Sequence, residues 1–462
     1  MRFPDMFIMK CLTCMFGSHD YTTHQRRIQG RFGKLPLSNL LALYIGALMV
    51  ILSACDANPG VPATLNKRTP TVSTAAGEPI LPHSQIFLHD APLPTAADLR
   101  FDSRNWTLAG FDNAATRFVS LPACCDAHPA PLWYQSLGAP VLESPVINNG
   151  LIYLVASDGY LHVLSTQNGA EQWRVPVGGE LTADGLALSN GLIYLARDGH
   201  YIAALDVTNG QERWRFDTVG VVRGTPLVVG HDLLVSSGAN TLFCLDALTG
   251  EEYWAFHSED TLAQYWPTRG APAVADNLVY VALGASTEFN ALSLRTGRKV
   301  WEVNLHERMT GGPLLDTALG LVYVVTWSGK MLALDMQTGS TRWEIQLASG
   351  SQSSPALDEQ SGTLYIGDYS GNLSALDTAT GQARWRMAMG SSIDAAPLVV
   401  RTTTQTWLVI AAQGGVCALL YAHTGKRFAS WKSGELRASP VVAQGILYQA
   451  SLGDQGLFAF RL

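Results

Sequence analysis

Apolar and polar positions alternate along this chain in short bursts, and the bursts return in a fixed order. Between Ser354 and Trp385 the order is plain. Ser354-Pro355-Ala356-Leu357 opens a short strand, with proline placed where no N–H has to be donated. Thr363-Leu364-Tyr365-Ile366-Gly367 is apolar on both faces, the pattern of a strand covered on two sides. Leu373-Ser374-Ala375-Leu376-Asp377 predicts a third strand and Thr380-Gly381 a tight turn, with glycine supplying positive φ. A fourth strand ends on Trp385. Asp377 stands four residues before the turn glycine, as do Asp206, Asp246 and Asp335 before theirs. A carboxylate there accepts backbone N–H bonds and fixes the turn.

The same sentence is written seven times, about forty residues apart. Thr249-Gly250 leads to Trp254, Thr296-Gly297 to Trp301, Thr338-Gly339 to Trp343 and Thr380-Gly381 to Trp385. Asn168-Gly169 with Trp173 and Asn209-Gly210 with Trp214 are close variants. Thr424-Gly425 is degenerate, with Phe428 and Trp431 displaced. Four strands in a unit of this length predict a β-propeller. Gly456-Leu457-Phe458-Ala459-Phe460 reads as a third strand with no fourth, and Pro131-Leu132-Trp133-Tyr134 as a fourth with no third. Pairing the two closes the ring and hides two edges. The expected fold is all-β: an eight-bladed propeller of four-stranded antiparallel blades, from about residue 130 to 462, closed by its N- and C-terminal strands.

The motif A-L-D-x-x-T-G-x-x-x-W resembles the pyrroloquinoline-quinone (PQQ)-type propeller repeat. Trp106 to Asp112, followed by Thr116-Arg117-Phe118, is similar to the opening segment of that superfamily. The resemblance spans roughly residues 104 to 462. It implies the fold, and it implies two kinds of function: quinone-dependent dehydrogenases, and the cofactor-free propeller lipoproteins of the outer-membrane β-barrel assembly machinery (BamB-like).

Ahead of the repeats, Arg26, Arg27, Arg31 and Lys34 precede an apolar run from Leu35 to Ala54 that ends Leu52-Ser53-Ala54-Cys55. A basic start, an apolar centre and small residues before a cysteine resemble a bacterial lipoprotein signal, with Cys55 as the lipidated residue. An uncleaved anchor is the other reading, since about twenty apolar residues suffice to span a bilayer. The expected domains are residues 1–55 as leader and signal, 56–104 as a Pro-, Ala- and Thr-rich tether, and 105–462 as the propeller with its N-terminal closing segment. Both readings put the propeller in the cell envelope, tethered and facing the periplasm, with inner or outer membrane left open. Beyond Cys55 there remain 25 basic and 36 acidic residues, a balance of about −11. That argues against nucleic-acid binding, which needs a basic surface.

Cys244 and Cys417 fall in third strands among apolar residues, as buried thiols do. Adjacent Cys124 and Cys125 predict a disulfide, to each other or to a partner, in an oxidising compartment. Three residues before five of the inner-strand prolines stand Arg223, Arg269, Gln352, Asp394 and Arg437; two before, in other blades, Glu143 and, by alignment, Asp184. Glu143, Asp184, Arg223, Arg269, Asp394 and Arg437 thus collect near one mouth of the channel, as a binding ring or as a self-neutralising polar rim. One connection is long. From Trp254 to Pro272 is eighteen residues against the usual twelve or thirteen, and the surplus holds Tyr265 and Trp266. Tyrosine and tryptophan are favoured interface anchors, so this loop is the expected partner contact, with a cover over the mouth as the alternative.

The leading expectation is a non-catalytic envelope lipoprotein that binds protein, with no catalytic residues, no metal site and no cofactor. Its implied partner, from the resemblance, is an outer-membrane assembly barrel. One alternative is a PQQ-dependent dehydrogenase with calcium. No carboxylate–amide set that would hold calcium, and no C-x-x-C-H haem motif, is assignable in the sequence. A second alternative is a propeller that binds or senses a small ligand at the charged mouth.

Overall fold

A computed structural model describes residues 112, 115–122, 124, 131–177, 185–197, 200–218, 220–222, 224–238, 240–258, 270–283 and 286–462. Among them are thirty-three strands and no helix. They form eight sheets around a central channel, each a meander of four antiparallel strands from the channel outwards. Blade 6 shows the plan: Ala356–Asp358 innermost, then Thr363–Gly367, Asn372–Asp377 and Ala383–Ala388. Its outer strand runs on past Trp385, because the indole docks sideways on the next blade from mid-strand. Blades 1 to 7 occupy residues 146–176, 186–217, 227–257, 273–304, 314–346, 356–388 and 398–432.

Two N-terminal strands complete the ring. Strand β1 (Phe118–Ser120) adds a fifth, parallel strand to the channel edge of blade 7, pairing with Leu398–Arg401. Strand β2 (Pro131–Ser136) is the outer strand of blade 8, antiparallel to Gly456–Arg461. The closure expected from the sequence is therefore present, and β1 is an addition to it. Val119 and Leu121 are buried with Val441 and Val442 of blade 8, so the N-terminal segment packs on both blades that flank the closure.

The repeated motif is a latch between neighbours. The indole Nε1 of Trp343 donates to the Thr378 carbonyl of blade 6 at 2.8 Å, and the Tyr323 hydroxyl donates to the same oxygen at 3.1 Å. Trp214 and Tyr194 share Ala247, Trp301 and Tyr280 share Met336, and Trp385 and Tyr365 share Ala422. Trp133 and Trp254 donate to Thr166 and Leu294 in the same way. The turn glycine of the receiving blade lies under that indole. A Cβ on Gly381, at φ +71°, would stand 2.7 Å from the Trp343 ring, so only glycine lets the ring lie flat there. The aspartates do what the sequence predicts: Asp377 Oδ1 accepts from the N–H groups of Ala379 and Thr380, and Asp335 Oδ1 from those of Gln337 and Thr338.

Blade 7 breaks the pattern for a geometric reason. Val409 stands where blade 6 has Tyr365, and Ala429 where it has Trp385. The neighbour it would latch onto, blade 8, takes its third strand from Gly456–Arg461 and its fourth from β2, so no turn joins them. A latch there has no turn glycine to lie on.

Candidate functional site

The inner strands all begin at one face of the ring, called the upper face here. Three of them, in blades 1, 6 and 8, open with a Ser-Pro pair whose hydroxyl binds the backbone of the blade before it. Ser354 Oγ accepts from the Gly312 N–H at 3.2 Å, Ser439 Oγ from Ala396 at 3.0 Å and Ser144 Oγ from Ser439 at 3.0 Å, each bond crossing to an adjacent blade. Backbone groups that precede a proline are thereby satisfied by the next repeat.

Of the predicted mouth residues, Glu143, Asp394 and Arg437 are among the described residues; Asp184, Arg223 and Arg269 lie outside them, as do Tyr265, Trp266 and Cys55. Asp394 accepts a hydrogen bond from Ser392 Oγ. Arg437 Nε donates to Glu435 at 3.2 Å, and Glu435 also accepts from the Gln413 amide at 3.2 Å. Glu143 acts on Arg117, which the N-terminal segment contributes just ahead of β1. Burial lowers that guanidinium to about 10, with Glu143 and then Asp112 pulling it back up. Asp394 and Arg437 thus each bond to a residue two positions away on their own connection. Arg117 was not expected at the mouth, since nothing in the repeat places a non-repeat segment on the channel edge.

At the opposite end of the inner strands, Arg401 donates to Asp358 and Gln360 of blade 6 and lies over the Phe118 ring at 5.1 Å. It pins the start of β1 between two blades. Among the described residues no group of three or more histidine, cysteine or carboxylate side chains is set to hold a metal. Cys244 and Cys417 are free and buried in third strands, and Cys124 is disulfide-bonded. Burial pushes the Cys417 thiol up to about 12 and that of Cys244 well above its ordinary value.

The upper face carries a second cluster. Trp327, in the turn between the second and third strands of blade 5, is 43% exposed. Arg308, from the connection entering blade 5, lies over its ring at 4.1 Å. Tyr369, in the equivalent turn of blade 6, meets it edge-on at 5.7 Å. The cluster is held from beneath by backbone: Trp327 N–H donates to Arg308 O at 3.0 Å, and Tyr369 N–H to Gly350 O at 2.9 Å. A Cβ on Gly350 would strike the Trp327 carbonyl oxygen at 2.3 Å, so glycine is what lets the two turns close up. Ser328, Ser349 and Ser370 ring the aromatics; Ser328 N–H donates to Glu307, and Ser370 N–H to Ser349 Oγ. Hydrogen bonds from Ser328 first, and then from Thr326, hold the Glu307 carboxyl below its ordinary range. The sequence signal was available: Trp327 is a tryptophan outside the Thr-Gly-Trp frame, in a turn where blade 6 has Tyr369 and blade 1 has Ser157.

On this geometry the relatives can be weighed. The family profile described as outer membrane protein assembly factor BamB matches residues 123–183, 158–311 and 264–462. The chain belongs to the BamB family. No curated protein matches it. Among solved structures it is similar to BamB from Moraxella catarrhalis, at 19% identity and a TM-score of 0.59, covering 72% of this chain and 100% of that one. It is also similar to a europium-containing methanol dehydrogenase, at 16% identity and TM-score 0.67, covering 79% and 99%. A quinohemoprotein alcohol dehydrogenase from Comamonas testosteroni gives 16%, 0.65, 79% and 83%. At such identities the likeness shows the propeller alone, and function has to be argued from the site.

Proposed function

We propose that this BamB-family propeller is a non-catalytic, lipid-anchored scaffold of the cell envelope that binds a protein partner through its upper face, in the service of outer-membrane protein assembly. The observation that carries the reading is the Trp327–Arg308–Tyr369 cluster. Tryptophan, tyrosine and arginine are the residues that dominate binding energy at protein interfaces. Their serine and glycine surroundings are those of a surface that adapts its hydrogen bonds to a partner. The family match points to the same class of role. The anchor in this reading is Cys55, and Tyr265 and Trp266 of the long connection after Trp254 are candidate further contacts.

The test is a crosslinked pull-down from native envelopes with Cys55 intact, run beside Trp327→Ala. Recovery of an outer-membrane assembly barrel by the parent, and its loss in the variant, is the expected result. Equal recovery by both moves the contact elsewhere on the ring, and recovery of no protein overturns the scaffold reading. A dye-linked oxidation that rises when quinone and calcium are supplied overturns the non-catalytic part.

A further inference from the structure

Buried polar side chains are ordinarily satisfied, and one that is not calls for an explanation. The junction between blades 7 and 8 holds a donor and an acceptor of that kind. The indole Nε1 of Trp431, on the outer strand of blade 7 (Arg427–Lys432), is buried and meets no acceptor among the described residues. The Oε1 of Gln449, on the second strand of blade 8 (Ile446–Ser451), is buried and meets no donor among them. Its Nε2 donates to Ala438 O and Ala450 O, at 3.0 Å each. Those two carbonyls fix which way the amide points, so the oxygen is the group left bare. Trp431 reaches across to Phe460 at 5.3 Å, Phe460 stacks on Phe458 at 5.8 Å, and Phe458 stands directly opposite Gln449 in the strand pairing. Directly opposed residues share a face of the sheet, so the amide oxygen, the two phenyl rings and the indole look into one interface. Tyr134 lies at its outer side, 4.6 Å from Phe458 and 43% exposed. No latch crosses here, since Val409 and Ala429 stand in the latch positions. Aromatic walls, an open outer side and a few unspent polar groups are the makings of a small-molecule site.

Charge narrows the ligand. The strands that wall the junction carry Arg427, Lys432 and Arg461 and no carboxylate. Glu435 and Asp454 lie in the turns above, bonded to Gln413 and Arg437 and to the Gly434 N–H and Ser451. Aromatic walls with cations beside them repel a quaternary ammonium, the familiar guest of such rings. An indole only donates and an amide oxygen only accepts, so the guest offers a carbonyl to the one and an N–H to the other. We propose that the junction binds a flat, uncharged aromatic lactam or carboxamide between blades 7 and 8, its carbonyl on Trp431 Nε1 and its N–H on Gln449 Oε1. The site goes beyond the scaffold reading and does not depend on it. Neither bond displaces one made inside the protein, so binding satisfies two groups that folding leaves bare. A ring that lacks the carbonyl or the N–H leaves one of them unpaired and is rejected for that reason.

The probe is carbostyril, a planar bicyclic lactam, in equilibrium dialysis against the full chain, and saturable uptake is expected. Naphthalene has two fused rings and no polar atom; N-methylcarbostyril keeps the carbonyl and lacks the N–H. Each is expected to bind more weakly by about tenfold or more, the worth of one buried hydrogen bond. Both act on the parent protein, so this comparison does not hang on how a variant folds. Trp431→Phe keeps a ring and removes the donor, and is expected to weaken carbostyril by about tenfold as well. Trp407→Phe deletes another buried indole N–H of blade 7, one packed among Tyr421 and Phe428 instead, and is expected to bind as the parent does. Absent uptake by the parent overturns the proposal and leaves an ordered water as the filler of the two groups. Naphthalene uptake equal to that of carbostyril overturns it too, since the junction is then an apolar slot without polar recognition. Equal binding of carbostyril by Trp431→Phe, or a loss in Trp407→Phe as large as in Trp431→Phe, does the same.

Discussion

Trp343 shows how much one side chain of the repeat holds. It is 9% exposed, donates to Thr378 and lies against Tyr323 and the Gly381 turn. Trp343→Ala removes packing and a bond together, and a loss of about 3–5 kcal/mol is expected from a large-to-small change of this kind, read as a shift in urea midpoint. An unchanged midpoint would mean the latch is dispensable. The turn aspartates act more weakly and depend on pH. Arg342 foremost holds Asp335 below the ordinary carboxylate range, and Arg384 foremost holds Asp377 there. A carboxylate depressed in the folded state adds stability that is full above the unfolded value near about 4 and lost as pH falls through the folded one. Asp335→Asn with Asp377→Asn is therefore expected to cost stability at pH 7, under about 1 kcal/mol per exposed pair, and the difference from the parent should close as the medium is acidified. A gap that stays constant from pH 7 to pH 2 would show that shape, not charge, fixes these turns. The thiols give a third check. Cys244 and Cys417 are buried and held protonated, so neither is expected to react with a thiol reagent at pH 8 until the protein is unfolded.

Elements divide by whether their signal is repeated. The four strands of blade 6, its turn and its aspartate were legible because six further copies say the same thing, and periodicity averages out local ambiguity. The closure of β2 on Gly456–Arg461 was legible as an arithmetic remainder, a fourth strand and a third strand left over. Strand β1 was not. Phe118–Ser120 is three residues long, and its place on the channel edge of blade 7 depends on contacts with Val399, Val400 and Arg401, some 280 residues away. No local pattern encodes such a pairing. The same limit applied to the site: Arg308, Trp327 and Tyr369 come from three separate connections, and only the ring brings them within one cluster. The motif's weakest copy, at Thr424-Gly425, read as decay in the sequence. In the fold it marks the one blade whose neighbour has no turn to receive an indole.

That last point is a property of the whole ring, and it can be tested by moving the chain's ends. In blade 6, Leu376 pairs with Ala383 across the turn formed by residues 377–382; in blade 8, Phe460 pairs with Pro131 in the same register. Leu462 N–H bonds to Gly445 O at 3.1 Å, as Thr378 N–H bonds to Gly362 O at 3.1 Å. Leu462 thus occupies the place of a latch acceptor, and the residues missing from a standard turn are the counterparts of Ala379-Thr380-Gly381-Gln382. A permutant of residues 131–462 that joins Leu462 to Pro131 through Ala-Thr-Gly-Gln, with new ends opened at the exposed Glu359–Gln360 turn, gives blade 8 its glycine. In that background Ala429→Trp gains a carbonyl acceptor and a flat bed, and is expected to raise the denaturation midpoint. In the linear chain 131–462 the same indole finds no turn and overpacks beside Phe428 and Trp431, at a cost of about 1–3 kcal/mol. Opposite signs in the two backgrounds would establish that the degenerate seventh motif follows from where the ring is closed. The same sign in both would mean that Ala429 answers to its own blade, and that closure has nothing to do with it.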